Sequence, residues 1–324
     1  MKAVVYDTYG GPEVMRLVDM PAPLPQKGQV RIANRAASLN PYDWHVYRAD
    51  PALARSFSGW RSPGFRVLGA DVAGVVDAVG PGVDGLAVGD EVYGEISFGG
   101  CAQFCVADAS RIAHKPAGLS FDEAAALPMG ALTALQGLET AGIREGSRVL
   151  IIGASGGVGH LGVQIAKALG ASRVVAVCSG RNAAWVRELG ADRVVDYVRE
   201  EVADCGEQFD VVLDLVTTSS LRDLARIIAP DGAYAPMGGV GGGWLLGPAS
   251  AILRAKALGP IVKRKVVQLT AVPNAADLVR VAGWVDEGLV TPRIDTVYQL
   301  DGYGTALERL EGGHVAGKLV VRTA

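Results

Sequence analysis

The sequence predicts an α/β protein in which a doubly wound parallel sheet is joined to a smaller β-rich domain. Beyond about residue 120, strand-like and helix-like patterns alternate, and such alternation means parallel strands with crossover helices. Before that point, short strand-like runs are separated by Gly, Pro and Asp turns, with no long helical pattern. In the second part, Arg148 to Gly159 reads RVLIIGASGGVG, an apolar run that breaks into glycines and then into the helix-like HLGVQIAKALGA.

The β-rich part is built from Val4 to Tyr6, Gln29 to Ala36, Ala73 to Val79, Glu91 to Tyr93 and Ala102 to Val106, as in a small barrel. The doubly wound part begins with strand Arg148 to Ile152, helix Val158 to Leu169 and strand Arg173 to Cys178. Helix Ala183 to Leu189 and strands Arg193 to Tyr197 and Asp210 to Val216 follow. Helix Leu221 to Ile228, strand Ala233 to Met237 and strand Val266 to Ala271 complete it. Helix Ala276 to Glu287, strand Thr296 to Leu300, another short helix and strand Lys318 to Arg322 look β-rich enough to rejoin the first domain. The expected domains are therefore 1–122 and 273–324 together, and 123–272. Ligands of doubly wound sheets bind at the carboxyl ends of the strands, which puts the expected site between the domains.

The glycine run gives the site its chemistry. Ala154, Gly156 and Gly159 occupy the three glycine places of the dinucleotide fingerprint G-x-G-x-x-G, with alanine in the first. The backbone of Ala154, Ser155, Gly156, Gly157 and Val158 would cradle a pyrophosphate, helped by the positive end of the following helix dipole. NAD sites place an acid at the end of the second strand to bind the ribose hydroxyls. Here RVVAVC ends at Cys178 and is followed by Ser179, Gly180 and Arg181, so a hydroxyl and a guanidinium stand where the acid would be. Arg suits a phosphate, and the expected cofactor is NADPH.

Composition narrows the classes. With 324 residues, 49% hydrophobic and without an uninterrupted run of about 18 apolar residues, the chain suits two soluble domains and needs no membrane span. The start, MKAVVYDTYGG, alternates like a strand and lacks the layout of a signal peptide, so the expected location is the cytoplasm. A net charge of −3 argues against a general nucleic-acid binder, and KRK at Lys263 to Lys265 reads as a solvated cluster near a helix end. Cys101, Cys105, Cys178 and Cys205 are scattered, as suits reduced thiols; Cys101 and Cys105 lack the other two ligands of a structural zinc.

Further motifs accompany the fingerprint: SLNPYDWH (Ser38 to His45), LGADVAGVV (Leu68 to Val76), GDEVYG (Gly89 to Gly94), AALPMGALTALQGL (Ala125 to Leu138), LGADRVVDY (Leu189 to Tyr197) and GGHVAGKLVV (Gly312 to Val321). Together they resemble the zinc-free quinone oxidoreductase (zeta-crystallin-like) branch of the medium-chain dehydrogenase/reductase superfamily. The resemblance implies a GroES-like substrate domain joined to a Rossmann domain. In zinc alcohol dehydrogenases of that superfamily a cysteine is expected at the position of Asn40, Gly-His-Glu at Gly69 to Asp71, and another cysteine before Gly130 to Ala134. Those ligands are not in this sequence, so no metal is expected, with Asp43 and His45 as possible remnants.

The resemblance further implies that Asn40, His45, Thr133, Val216, Gly238, Gly239 and Lys318 surround the nicotinamide half, and that Tyr197 lies near the adenosine end. His45 and Tyr42 are the candidate proton donors, with solvent as the alternative, while Tyr42 and Trp44 also read as packing residues. The glycine-rich stretch Gly238 to Pro248 reads as a mobile loop with Trp244 and Leu245 as apolar lining, or as a surface connection. The leading function is NADPH-dependent hydride transfer to a quinone, enone or similar conjugated carbonyl. The alternatives are an enoyl-thioester reductase of the same superfamily and a non-enzymatic NADPH-binding structural or regulatory protein. A homodimer is the default, because Val266 to Ala271 would form a sheet edge open to a second copy.

Overall fold

The computed structural model describes residues 1–238 and 249–324. The sequence expectation of an apolar loop lining at Trp244 and Leu245, and the site assignment of Gly239, lie outside the described residues. Strands β1 (Lys2–Val5), β2 (Arg16–Asp19), β3 (Gln29–Leu39), β4 (Asp71–Val79), β5 (Glu91–Glu95), β6 (Phe104–Asp108) and β7 (Ile112–His114) come first in the chain. Then follow β8 (Arg148–Ile152), β9 (Arg173–Cys178), β10 (Arg193–Asp196), β11 (Phe209–Asp214), β12 (Ile228–Pro236) and β13 (Lys265–Val266). The chain closes with β14 (Ile294–Gln299) and β15 (Lys318–Arg322).

Two compact units divide these elements: Met1–Met129 with Val272–Gly288 and Pro292–Ala324, and Gly130–Ala271 with Leu289–Thr291. In the first unit the sheet order is β14-β15-β3-β4-β5-β7, with β6 also on β3, and β1 pairs with β2 separately. The long strand β3 serves several partners because its register against β4 shifts between Arg31 and Ile32 and again between Asn34 and Ala36. Bulges of this kind bend a strand and increase its twist, which lets the sheet curl. One core cluster gathers Val30, Ile32, Val72, Val76, Val92, Cys105 and Ile112. Another joins the two ends of the chain, packing Val4, Tyr6, Tyr47 and Leu68 with Tyr303, Leu307, Leu319 and Val321.

The second unit is a six-stranded sheet ordered β10-β9-β8-β11-β12-β13, and each neighbouring pair is parallel. Numbered within the unit, that is third, second, first, fourth, fifth, sixth, the dinucleotide-binding order. It reverses direction between β8 and β11, where a ligand crevice forms at the carboxyl ends of the strands. Its central strands β8, β9 and β11 are buried on both faces, and Leu150, Val175, Val177, Val195, Val212 and Tyr234 meet in one cluster.

Several elements differ from the sequence expectation. The helix expected over Leu221 to Ile228 is only Leu221–Leu224, because Ile228 already starts β12 opposite Phe209. The edge strand expected over Val266 to Ala271 is the two-residue β13, Lys265–Val266. A helix over Ala249–Val262, carrying Pro260 in its last turn, precedes it. So short a strand leaves little of the edge on which the homodimer expectation rested.

Candidate active site

In the second unit the chain turns sharply after β8. Gly153 has φ of +86°, a conformation strained for any residue with a Cβ. At Gly159 a Cβ would lie 2.7 Å from the Ala154 Cα and closer still to the Gly153 carbonyl oxygen, so backbone meets backbone and only glycine fits. The amides of Gly153 and Ala154 both donate to the Val177 carbonyl, at 3.1 and 2.9 Å, and that of Gly156 donates to Gly153. The amides of Ser155, Gly157 and Val158 donate to no acceptor among the described residues, and these residues are half-buried at the start of helix Gly159–Ala168. Unpaired amides at a helix N-terminus suit an anionic oxygen.

The next strand ends bring the adenosine-end candidates together. Cys178 of β9 is in register with Asp196 of β10, so Ser179 and the half-exposed Tyr197 follow from adjacent strand ends. The Ser179 hydroxyl is buried without a hydrogen-bond partner among the described residues, and Arg181 is exposed in the following turn. A carboxylate returns here from the neighbouring strand: a Cβ on Gly180 would lie 2.5 Å from Asp196 Oδ2. Asp196 is engaged in part by the Val198 amide at 3.1 Å and by Arg199 at 3.6 Å.

At the end of β11, Asp214 is fully buried and organises the turn after it. Its Oδ1 accepts from the amides of Val216 (3.1 Å) and Thr217 (2.7 Å), and its Oδ2 accepts from the Tyr234 hydroxyl (2.8 Å). Thr217 has φ of +54°, and its hydroxyl donates to the Gly238 carbonyl at 2.7 Å, which ties Val216 and Gly238 into one fixed arrangement. Burial pushes the Asp214 carboxyl upward while those three donors oppose it. Thr133, half-buried, is on helix Pro128–Ala141.

The first unit holds a buried polar cluster that the sequence reading only partly foresaw. Asn40 precedes helix Pro41–Arg48; its amide donates to Asp43 Oδ2 (2.8 Å) and its side-chain Nδ2 to Asp71 Oδ2 (2.9 Å). Lys318 Nζ donates to Asn40 Oδ1 (2.6 Å) and Asp71 Oδ2 (2.9 Å). Ser38 Oγ donates to the same Asp71 oxygen at 2.8 Å, and the Met129 amide to the other at 2.9 Å. The Lys318 and Asp71 side chains are 2% and 0% exposed, so the ion pair is out of water and its stability depends on this full set of partners. Asp43 also accepts from the Gly69 amide (3.0 Å), and burial pushes its carboxyl up to about 6.

This donor set does not fit zinc. Asn40 and Ala70 stand where cysteine and histidine would bind, and the Asn40 and Asp71 oxygens already face the Lys318 ammonium, which is their cation. No group of three or more His, Cys, Asp or Glu side chains among the described residues could hold a metal ion. Cys101 and Cys105 are buried free thiols, and burial pushes Cys105 up to about 12.

The two candidate acids stand on the helix that follows Asn40. His45 Nδ1 is 2.5 Å from the Asp50 carbonyl oxygen, which only accepts, so Nδ1 carries the proton and Nε2 keeps its lone pair. Burial lowers the basicity of the ring, against the opposing pull of Asp50. Tyr42 stacks on Phe98 at 5.5 Å between ring centroids, and burial pushes its phenol up to about 12. A further carboxyl that the sequence reading missed, Glu95, ends β5 opposite Asp71 and is 9% exposed. The last four residues of β5 are all buried, so no alternating pattern marks Glu95 as an inward-facing acid.

Among the described residues no helix is long and apolar enough to cross a membrane. Residues 26–136 match the alcohol dehydrogenase GroES-like domain, and residues 189–321 match a family described as zinc-binding dehydrogenase. The chain is 35% identical to 2-methylene-furan-3-one reductase of Solanum lycopersicum, over 99% of this chain and 79% of that protein. It is 31% identical to the chloroplastic NADPH-dependent alkenal/one oxidoreductase of Arabidopsis thaliana, again over 99% and 79%. The quinone oxidoreductase structure from Coxiella burnetii superposes with a TM-score of 0.87 at 32% identity, covering 100% of this chain and 99% of that one.

Proposed function

The chain belongs to the quinone oxidoreductase branch of the medium-chain dehydrogenase/reductase superfamily, and on that premise we propose that it is a zinc-independent, NADPH-dependent reductase of a quinone, enone or related conjugated carbonyl. The observation that carries this reading is the Lys318 ammonium seated on Asn40 and Asp71. A metal-dependent dehydrogenase uses its Lewis acid to polarise an isolated carbonyl or an alcohol, whereas a conjugated acceptor is already electrophilic and can do without one. NADPH supplies the hydride when bound.

The chain's own work is to bind, orient and exclude water. Ser155, Gly157 and Val158 hold the pyrophosphate with their amides. The unpartnered Ser179 hydroxyl and the Arg181 guanidinium take the phosphate on the adenosine ribose, beside Tyr197. The family resemblance assigns Val216, Gly238, Thr133, Asn40 and Lys318 to the nicotinamide half, and the bonds of Asp214 and Thr217 that fix the Val216–Gly238 turn support that role for its backbone. The domain assignment in this reading is 1–122 and 273–324 for the acceptor, and 123–272 for the cofactor. The four buried free cysteines support a reducing compartment such as the cytoplasm, and a homodimer remains part of the proposal.

The test is NADPH oxidation, followed by absorbance, against a panel of quinones, enones, enoyl thioesters and simple aldehydes. Turnover of quinones or enones in excess of the other classes supports the reading. Turnover of thioesters alone, or NADPH binding with no acceptor reduced, overturns it.

A further inference from the structure

We infer that Glu95 is the proton donor of the reduction, the group that delivers a proton to the acceptor once hydride has been added. The inference rests on the reductase reading above. Glu95 lies directly across the β4–β5 ladder from Asp71, whose partners Asn40 and Lys318 are the groups assigned to the nicotinamide half. Its Oε2 is enclosed and has no hydrogen-bond partner among the described residues. An orphaned buried carboxyl oxygen in a native fold calls for an explanation. Ionised, it would be an uncompensated buried charge; protonated, it is a neutral acid held ready in the cluster.

The surroundings favour the acid form. Burial and the Asp71 charge push the Glu95 carboxyl up to about 8 against the pull of Lys318 and Arg111. Those two cations are already engaged: Lys318 by Asn40 and Asp71, and Arg111 by Ser97 Oγ at 3.1 Å and Asp108 at 3.7 Å. Helix Phe121–Ala125 also packs on β5, but its Asp122 pairs with Arg322 and its Glu123 with the Ser120 cap. His114 of β7 stands opposite Val92, toward the other end of β5. Tyr42 is near enough for its phenol to be raised by the Glu95 charge. Of the three candidates, His45 has its Nδ1 proton engaged by the Asp50 carbonyl and the Tyr42 phenol is pushed up to about 12. Glu95, at about 8, is the one that exchanges its proton nearest the working range of pH.

The step balances. Hydride from the reduced nicotinamide adds two electrons to the β-carbon of the enone and leaves an enolate. The Glu95 O–H bond then breaks as the α-carbon–H bond forms, and the carboxylate regains a proton from solvent. With a quinone the same proton goes to the reduced oxygen.

The test compares wild type, Glu95→Gln and Glu95→Asp with an enone acceptor. Wild-type kcat is expected to fall as pH rises through about 8. Glu95→Gln is expected to lose that limb and about 100-fold in kcat with KM little changed, and Glu95→Asp to keep a displaced limb. An infrared pH titration of wild type, read at the protonated-carboxyl stretch, is expected to show a buried acid titrating above pH 7 that Glu95→Gln lacks. A Glu95→Gln enzyme with the wild-type limb and turnover overturns the inference, as does a wild-type titration with no such acid, which decides the matter even if the variants do not fold. Should wild type reduce no enone or quinone, the reductase reading itself fails, and the infrared titration reports the Glu95 proton separately.

Discussion

Replacing Lys318 with Met removes the cation that makes the Asn40–Asp71 cluster stable out of water. Lys318 Nζ donates at 2.6 and 2.9 Å to two acceptors that are themselves buried, and its own side chain is 2% exposed. Without it the Asp71 carboxylate keeps the Ser38, Asn40 and Met129 donors but has no counter-charge. Breaking one side of a buried pair costs about 3–5 kcal/mol, whereas replacing both sides with neutral groups is close to neutral. Lys318→Met is therefore expected to lower Tm by roughly 6–10 °C. Asp71→Asn combined with Lys318→Met is expected to recover most of the loss, with a coupling of about 2–3 kcal/mol. Thermal and urea unfolding of the four proteins of the cycle measure this. A single variant that loses less than about 1 kcal/mol, or a double variant no more stable than the single, would refute the electrostatic reasoning.

Gly159→Ala forces a Cβ onto the Gly153 carbonyl and the Ala154 Cα, so NADPH binding by calorimetry should weaken more than tenfold, whereas Gly283→Ala, with nothing within 4 Å, should raise stability by about 0.5–1 kcal/mol. Arg181→Ala is expected to weaken NADPH about tenfold and leave NADH unchanged. Asp196→Asn, which removes an anion beside Gly180, is expected to tighten NADPH; equal effects on both cofactors would contradict this placement. Native Glu95 keeps a proton that the unfolded chain releases above its ordinary value of 4.5, so between that value and about 8 the folded state binds more protons and stability falls as pH rises. Glu95→Gln removes this slope, at most about 1.4 kcal/mol per pH unit, and denaturant midpoints across the window should show it.

The doubly wound unit was legible because its signals are local. β8 falls on the expected residues Arg148–Ile152, and the glycine turn follows it as the fingerprint requires. The terminal strand Lys318–Arg322 was equally clear from its apolar run. The polar cluster was not, because its bonds join residues far apart in the chain: Lys318 and Asp71 are separated by 247 positions, and no local pattern couples them. Lys318 and Asn40 were expected near one another only through family resemblance, and their mutual hydrogen bond is a tertiary fact. The approach of Asp196 to Gly180 has the same character, since the sequence places an acid at the end of β10 but does not say that this end lies beside the turn after β9. Val266 to Ala271 misled for the opposite reason: an apolar run has strand propensity, but only Lys265–Val266 find partners on β12.

The central claim is that this chain reduces a conjugated carbonyl with NADPH and without zinc. Its most direct test is the rate of NADPH oxidation by a quinone and an enone, measured before and after exhaustive chelation, with metal content determined on the same sample. Turnover that chelation leaves unchanged, in a protein with no stoichiometric zinc, is the expected result. Activity that chelation abolishes and zinc restores would contradict it.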